Sequence, residues 1–389
     1  MRTAQRSADD FRLSQSQRTL PAGDTETFHR KTSSAGTRLP RQMRFRPWKN
    51  HTLSTRSRAG GGRIRRRRKR GLLMKLGIVM NPIERIVPRK DSSLALLLAA
   101  QDRDWPLHYI EPSDLYLEDG AAAARMRRLR VQDDDARWFR LEDEAQRPLE
   151  WLDVVLMRVD PPLTMGYVHL TQILGYAERT GVLVVNSARG LREVHEKIFA
   201  GRFRPHAPAT LVSRDRGRLR EFLSKHGEIV LKPLDEMGGR GIFKLGQDDP
   251  NATVAIDALT AYGERCAMAQ EYLPAIARKG DRRILLIDGE PVPYVLARFP
   301  ARGQIRANLA AGGNYRGAEL SDEERRLCAR LQEPLRENGI LFAGLDVIGG
   351  MLTEVNVTSP TGIRELEKLY SPGTAARLLD CIERKRDGG

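Results

Sequence analysis

The sequence predicts an α/β domain followed by an α+β region. Between residues 74 and 190, short apolar runs alternate with helical stretches, the pattern of an open, mostly parallel sheet. From about residue 196, short strands, glycine-rich turns and small helices take over. A third observation marks where folding begins. The 389-residue chain has 66 Lys and Arg against 50 Asp and Glu, and residues 1–73 hold 20 of the basic but only four of the acidic side chains. The whole net charge of +16 therefore lies in that extension, and the rest of the chain is neutral.

Residues 1–73 are rich in Arg, Ser and Thr and end in the run Arg65 to Arg70. They have too little apolar surface to offset chain entropy and read as disordered. With no apolar h-region they are not a secretory signal. Three readings stay open: an organellar transit peptide, a nucleic-acid-binding arm, or upstream sequence ahead of a start at Met74. No apolar run approaches the roughly 18 residues of a membrane-spanning helix. Three scattered cysteines (Cys266, Cys328, Cys381) exclude a disulfide framework and a Cys-based zinc site, and lean towards a reducing compartment.

From Met74 the elements follow in order. Lys75 to Asn81 is an apolar strand closed by Pro82. Ser92 to Gln101 is helical, with Asp91 or Ser92 as N-cap. Leu107 to Ile110, Asp153 to Arg158 and Gly181 to Asn186 are buried strands. Ligands of such sheets bind beyond the carboxyl ends of strands, which makes Asn81, Arg158 and Asn186 candidates. For Asn81 and Asn186 ordinary turn chemistry is the simpler reading.

Ile229 to Lys244 reads as strand, glycine-rich loop, strand. Gly238, Gly239 and Gly241 let backbone N–H groups approach phosphate oxygens, and Lys232 places a cation beside them. No helix follows, so the loop is neither a Walker A loop nor a Rossmann turn. A plain hairpin is the alternative.

Phe342 to Val357 reads as a hairpin turning at Gly349-Gly350. A two-residue turn opposes Leu345 to Glu354 and mixes apolar and acidic groups on each face. A three-residue turn, Gly349 to Met351, opposes Asp346 to Glu354. It gathers Leu345, Val347, Val355 and Val357 on one face and Asp346, Glu354 and Asn356 on the other. Apolar alternation favours the second register. Two carboxylates and an amide oxygen suit Mg²⁺, which shares ligands with phosphates. The hydroxyl-rich Thr358 to Thr361 precedes a helical stretch near Ile363, whose start favours anions. Arg306 to Asn314 is small and flexible, as in a loop that closes on a ligand.

Taken together, MKLGIVMNPI, Arg89 to Ser93, DVVLMRVDPP, HEK at 195–197, Val230 to Leu234, MAQEYLPAI, GDRRILLIDGEPVPY, ANLAAGG and LTEVNVTSPTGIRE resemble the bacterial glutathione synthetases of the ATP-grasp superfamily. The resemblance runs from Met74 to about Glu383. It implies an N-terminal α/β domain (74–195), a central ATP-grasp lid (196–270) and a C-terminal ATP-grasp piece (271–389), with ATP held between the last two. By the same resemblance Lys197 and Lys232 contact ATP phosphates, and Asp235, Gly238, Gly239 and Gly241 also bind ATP. Gln270, Glu271, Tyr272 and Leu273 line the adenine, and Asp281 the ribose. Asp346, Glu354 and Asn356 bind the metal, Mg²⁺ or Mn²⁺. Arg283 and Arg306 act in catalysis, and Arg158, Asn308, Ser359 and Thr361 hold substrate.

The implied reaction is ATP-driven amide formation from γ-glutamylcysteine and glycine through an acyl phosphate, giving glutathione, ADP and phosphate. It needs no protein nucleophile. The alternative is another ATP-grasp ligase joining a different amino acid to a carboxylate. The resemblance also implies a cytoplasmic homo-oligomer, a tetramer. Membrane association and nucleic-acid binding by the neutral folded part are not expected. Four positions depart from the family pattern: His195, Glu236, Arg240 and Asn314.

Overall fold

The computed structural model describes residues 73–301, 307 and 314–388. The expected disorder of the extension, and the roles of Arg306 and Asn308, fall outside these residues.

The first sheet draws on β1 (Leu76–Met80), β2 (Leu107–Ile110), β3 (Leu115–Glu118), β4 (Ala121–Val131), β5 (Phe139–Pro148), β6 (Val154–Arg158) and β7 (Leu183–Val185). Its order is β3-β4-β2-β1-β6-β7, with β5 beside β4. The strands expected from apolar runs, β2-β1-β6-β7, are parallel. The difference from the expected sheet is the antiparallel set β3, β4 and β5. Its sequence, AAAARMRRLRV on β4, has helix-forming composition. Tertiary pairing overrides that preference, because the strand geometry buries Ala122, Ala124, Met126 and Leu129.

The helices of this part are α1 (Ser92–Gln101), α2 (Met165–Arg179) and α3 (Ala188–Glu193). Asp91 is the N-cap of α1, its Oδ1 accepting the Leu94 amide at 2.6 Å.

The second sheet contains β8 (Thr210–Ser213), β9 (Glu228–Pro233), β10 (Phe243–Gly246) and β11 (Ala267–Glu271), all antiparallel, in the order β10-β9-β11-β8. Helices α4 (Arg216–His226) and α5 (Ala252–Thr260) pack Leu219, Leu223 and Ile256 on it. After α6 (Ile276–Lys279) comes the third sheet, β12 (Asp281–Ile287), β13 (Glu290–Phe299), β14 (Asn314–Glu319), β15 (Phe342–Ile348) and β16 (Met351–Asn356), ordered β14-β13-β12-β15-β16. The 16-residue α7 (Asp322–Glu337) is longer than the small helices the sequence suggests there. The last two helices are α8 (Ile363–Tyr370) and α9 (Thr374–Asp387).

The first and third sheets share their cores. Val79, Val155 and Leu174 pack in one cluster with Ile284, Leu345 and Val355. Asn186 bolts the junction: its amide donates to the carbonyls of Phe342 (2.7 Å) and Val357 (2.6 Å) and accepts from the amides of Leu341 and Phe342. Asn81 accepts the Asp160 amide at 2.8 Å. Both end-of-strand asparagines thus hold backbone. The second sheet has its own small core, around Ile229, Leu231 and Leu245. No described helix is long and apolar enough to cross a membrane.

The β15–β16 hairpin corrects one expectation. Asp346 does oppose Glu354, and Leu345 opposes Val355. The turn, however, has two residues, with Ile348 opposite Met351. Gly349 and Gly350 take φ of +61° and +89°, the left-handed conformations such a turn demands. The register is restored by an irregularity between Leu352 and Glu354, where Thr353 lies and its hydroxyl donates to the Asp346 carbonyl at 3.0 Å. A bulge supplies the extra residue that the longer turn was expected to provide.

Candidate active site

A cleft opens between the second and third sheets. From the second sheet come Lys232, Gln270 to Leu273, and Gly238 and Gly239 of the loop after β9; from the third come Asp281, Asp346 and Glu354. Gly238, Gly239 and Gly241 all have positive φ, as a tight loop requires. Lys232, 4% exposed, donates to Gln270 Oε1 and across the cleft to Glu354 Oε1, both at 3.2 Å. Lys197 reaches the same cleft from the segment after α3 and donates to the carbonyls of Leu234 (3.1 Å) and Glu236 (2.6 Å). Burial lowers the Lys197 pKa, and the neighbouring Lys232 adds to the shift.

The floor is a row of charges across the third sheet. Asp281 and Arg283 lie two apart on β12 and so share a face. Arg298 on β13 opposes Asp281, and Asp346 on β15 opposes Arg283. Arg283 grips Asp346 with two bonds, Nε to Oδ1 (2.6 Å) and Nη2 to Oδ2 (3.0 Å), and its Nη1 donates to the Thr361 carbonyl. Arg298 contacts Asp281 Oδ2 (2.6 Å) and Asp346 Oδ1 (2.7 Å). Gly344 makes room for this: a Cβ there would lie 2.9 Å from Arg283 Cδ.

Burial alone would raise the Asp346 pKa, but Arg283 and Arg298 outweigh it and hold the carboxyl below the usual range. Burial pushes Asp281 up to about 6, and the charge on Asp346 adds to that. Asp281 Oδ1 is buried without a hydrogen-bond partner among the described residues, so it can accept from a ligand hydroxyl.

A second cavity adjoins this cleft through Lys197, Asp346 and Glu354. Arg283, Arg298, Asn356, Ser359 and Thr361 line it. Arg158 stands behind its wall, buried, donating to Ser93 Oγ and to the Pro360 carbonyl, both at 3.0 Å. Asp235 and Gly241 line a third cavity, behind the glycine loop.

Sequence reasoning missed two residues. Arg298 was signalled only by a cation inside the apolar run PYVLARF. Glu196 was noted within a motif but given no role. Its Oε1 accepts from the amides of Val357 (2.9 Å) and Thr358 (3.0 Å) and from the Thr358 hydroxyl (2.8 Å), fixing the segment that carries Ser359.

This site can be set beside known proteins. Two family models match: prokaryotic glutathione synthetase, N-terminal domain, over residues 74–192, and prokaryotic glutathione synthetase, ATP-grasp domain, over 196–371. The chain belongs to the prokaryotic glutathione synthetase family. The glutathione synthetase of Pseudomonas syringae pv. tomato is 53% identical over 312 residues, covering 80% of this chain and 98% of the relative. That of Escherichia coli O127:H6 is 48% identical over 311 residues, with the same two shares. Among solved structures, D-cycloserine synthetase DcsG has a TM-score of 0.57 at 14% identity, over 80% of this chain and 99% of that one. At that identity the likeness speaks for the fold alone.

Glutathione synthetases of this family use ATP and a divalent metal ion. The residues present fit such an ion. Among the described residues no group of three or more His, Cys, Asp and Glu is placed to hold a metal ion. Asp346, Glu354 and Asn356 offer a hard-oxygen set on paired strands. Asp346 Oδ2 accepts from the Asn356 amide nitrogen at 3.2 Å. The same nitrogen donates to the Gly344 carbonyl at 3.1 Å, so presenting the Asn356 oxygen to an ion means giving up both bonds.

Proposed function

We propose that the cleft between the second and third sheets binds ATP and the adjoining cavity binds the dipeptide. As a member of its family, the chain is an ATP-dependent ligase that joins γ-glutamylcysteine to glycine, giving glutathione, ADP and phosphate through an acyl phosphate. The observation that carries the site assignment is the Lys232–Glu354 contact across the cleft, beside the Asp346–Arg283–Arg298 row.

In this reading Lys197 and Lys232 exchange their present partners for phosphate oxygens, with the glycine loop (Asp235, Gly238, Gly239, Gly241) over them. Gln270 to Leu273 receive the adenine. The Leu273 amide, without a hydrogen-bond partner among the described residues, supports this. Asp281 receives the ribose. Arg283 faces the oxygens that gain charge during transfer, and Arg306 has the same catalytic role by the family resemblance; cations act strongly where water is excluded. Arg298 keeps Asp346 ionised. Ser359 and Thr361 line the dipeptide site, Asn308 belongs to it, and Arg158 braces its wall. Asp346, Glu354 and Asn356 would hold Mg²⁺, with Mn²⁺ as the alternative. When bound, the ion would supply neutralisation of phosphate charge. Positioning supplies the rest: the carboxylate and the γ-phosphate are held together, then the acyl phosphate and the glycine amine.

We assign residues 74–195, 196–270 and 271–389 to the three pieces, and infer a cytoplasmic homotetramer. The deciding experiment measures ADP release with γ-glutamylcysteine, with and without glycine. Turnover that needs both substrates is expected. Release with neither, or with an unrelated carboxylate instead, would overturn the substrate assignment.

A further inference from the structure

His195, Glu196 and Lys197 connect three parts of the protein. Glu196 grips the segment after β16, and its carbonyl also accepts the Val355 amide at 2.8 Å. Lys197 grips the root of the glycine loop through Leu234 and Glu236. The Lys197 grip depends on the backbone at residues 197 and 198, and His195 fixes it. Its Nδ1 faces the amides of Lys197 at 3.3 Å and Ile198 at 3.4 Å, and its carbonyl accepts the Phe199 amide at 2.9 Å. Two N–H groups aimed at Nδ1 require that nitrogen to be unprotonated, so the ring proton lies on Nε2.

We propose that neutral His195 is a positioning residue for Lys197, accepting the Lys197 and Ile198 amide hydrogens so that the Lys197 ammonium stays on the glycine loop and meets ATP with full affinity. The inference rests on the assignment of Lys197 to ATP phosphates made above. The residue type suits the task, because a side-chain acceptor facing amides two and three residues on is what an N-cap provides. This chain uses a titratable acceptor there. A proton on Nδ1 would set a donor against two donors.

The charges around the ring can be named. Arg192 of α3, Asp235, Glu236 and Arg240 of the loop, and Arg265 before β11 line the same cavity as His195, with Tyr167 of α2 and Cys266. Lys197 and Glu354 act on it from the cleft side. Burial pushes the His195 pKa below its ordinary 6.5, Lys197 adds to this, and Glu354 and Asp235 oppose it. The neutral form is thus favoured in the folded protein. Its contribution is complete above pH 6.5 and is lost as pH falls through the lower folded value.

The test compares His195→Ala, His195→Asn and Lys197→Ala in the full chain, with KM for ATP and for γ-glutamylcysteine measured from pH 5 to 8. His195→Ala should raise KM for ATP about fivefold at pH 7.5, the scale of a lost cap, and leave KM for the dipeptide unchanged. His195→Asn, whose Oδ1 replaces Nδ1, should restore the wild-type value. It should also remove the acid rise in KM for ATP that wild type shows relative to it. A wild-type KM for ATP in His195→Ala, with Lys197→Ala strongly impaired, would overturn this inference alone. An unimpaired Lys197→Ala would overturn the assignment beneath it as well. An acid rise that persists unchanged in His195→Asn would overturn the titration.

Discussion

The second and third sheets face one another across the cleft but are built differently. The third buries Leu345, Val347 and Val355 in a core continuous with Val79 and Val155 of the first sheet. The second closes a core of its own around Leu231 and Ile256. The charges differ in parallel. Asp346, Arg283 and Arg298 are buried and paired with one another, whereas Lys232 crosses to Glu354, whose side chain is 22% exposed. One wall is therefore a rigid electrostatic floor and the other a cover with few fixed ties. The proposed closing of the second sheet over ATP needs such an asymmetry, because elements that move come from the low-stability end of a structure.

The sharpest test of the asymmetry is Asp346→Ala. It leaves the buried Arg283 without a carboxylate and Arg298 with Asp281 alone, and removing one partner of a buried pair costs about 3–5 kcal/mol. Denaturant unfolding should show that loss, and turnover should vanish with it. The pH dependence follows the same residue. Its carboxyl is held below the usual value of 3.8, so its stabilisation is present above about pH 4 and is lost as pH falls further. The melting temperature of wild type, but not of the variant, should carry that component. A variant as stable as wild type would mean the floor is no more fixed than the cover.

Glu354→Gln should lose about a hundredfold or more in turnover, the scale of removing one electrostatic group from an active site, with melting unchanged. Near-normal metal-dependent activity would refute the ligand assignment.

Lys232→Ala should raise KM for ATP about tenfold while dipeptide KM holds, since charge-assisted contacts to phosphate are strong. An unchanged ATP dependence would return the loop to a plain hairpin.

Leu231→Ala should cost about 2–5 kcal/mol within its own core. Hydrogen exchange should accelerate in β8 to β11 and not in β12 to β16. Acceleration spread over both sheets would break the comparison between them.

The smallest effect is expected outside both walls. A chain beginning at Met74 should keep the melting temperature and turnover of the full chain, because the family match begins at that residue. A large loss of either would give residues 1–73 a part in the enzyme.

Local chemistry made much of this legible in the sequence. Asp91 ahead of a helical stretch caps α1. Alternation of Leu345, Val347, Val355 and Val357 set the face that Asp346 and Glu354 share, because a slip of one residue would expose the apolar set. Tertiary structure decided how that register is reached, by a bulge at Thr353 and a two-residue glycine turn, since turn and bulge are interchangeable in sequence and are chosen by packing. It decided that β4 is a strand, because only its partners and the burial of alternate residues outweigh a run of four alanines. It brought Arg298 from β13 onto Asp346 of β15, two strands away, a convergence of residues 48 apart that no local pattern encodes. Periodicity fixes which face a side chain takes, but which charges meet on that face depends on the order of strands, and only the folded sheet sets that order.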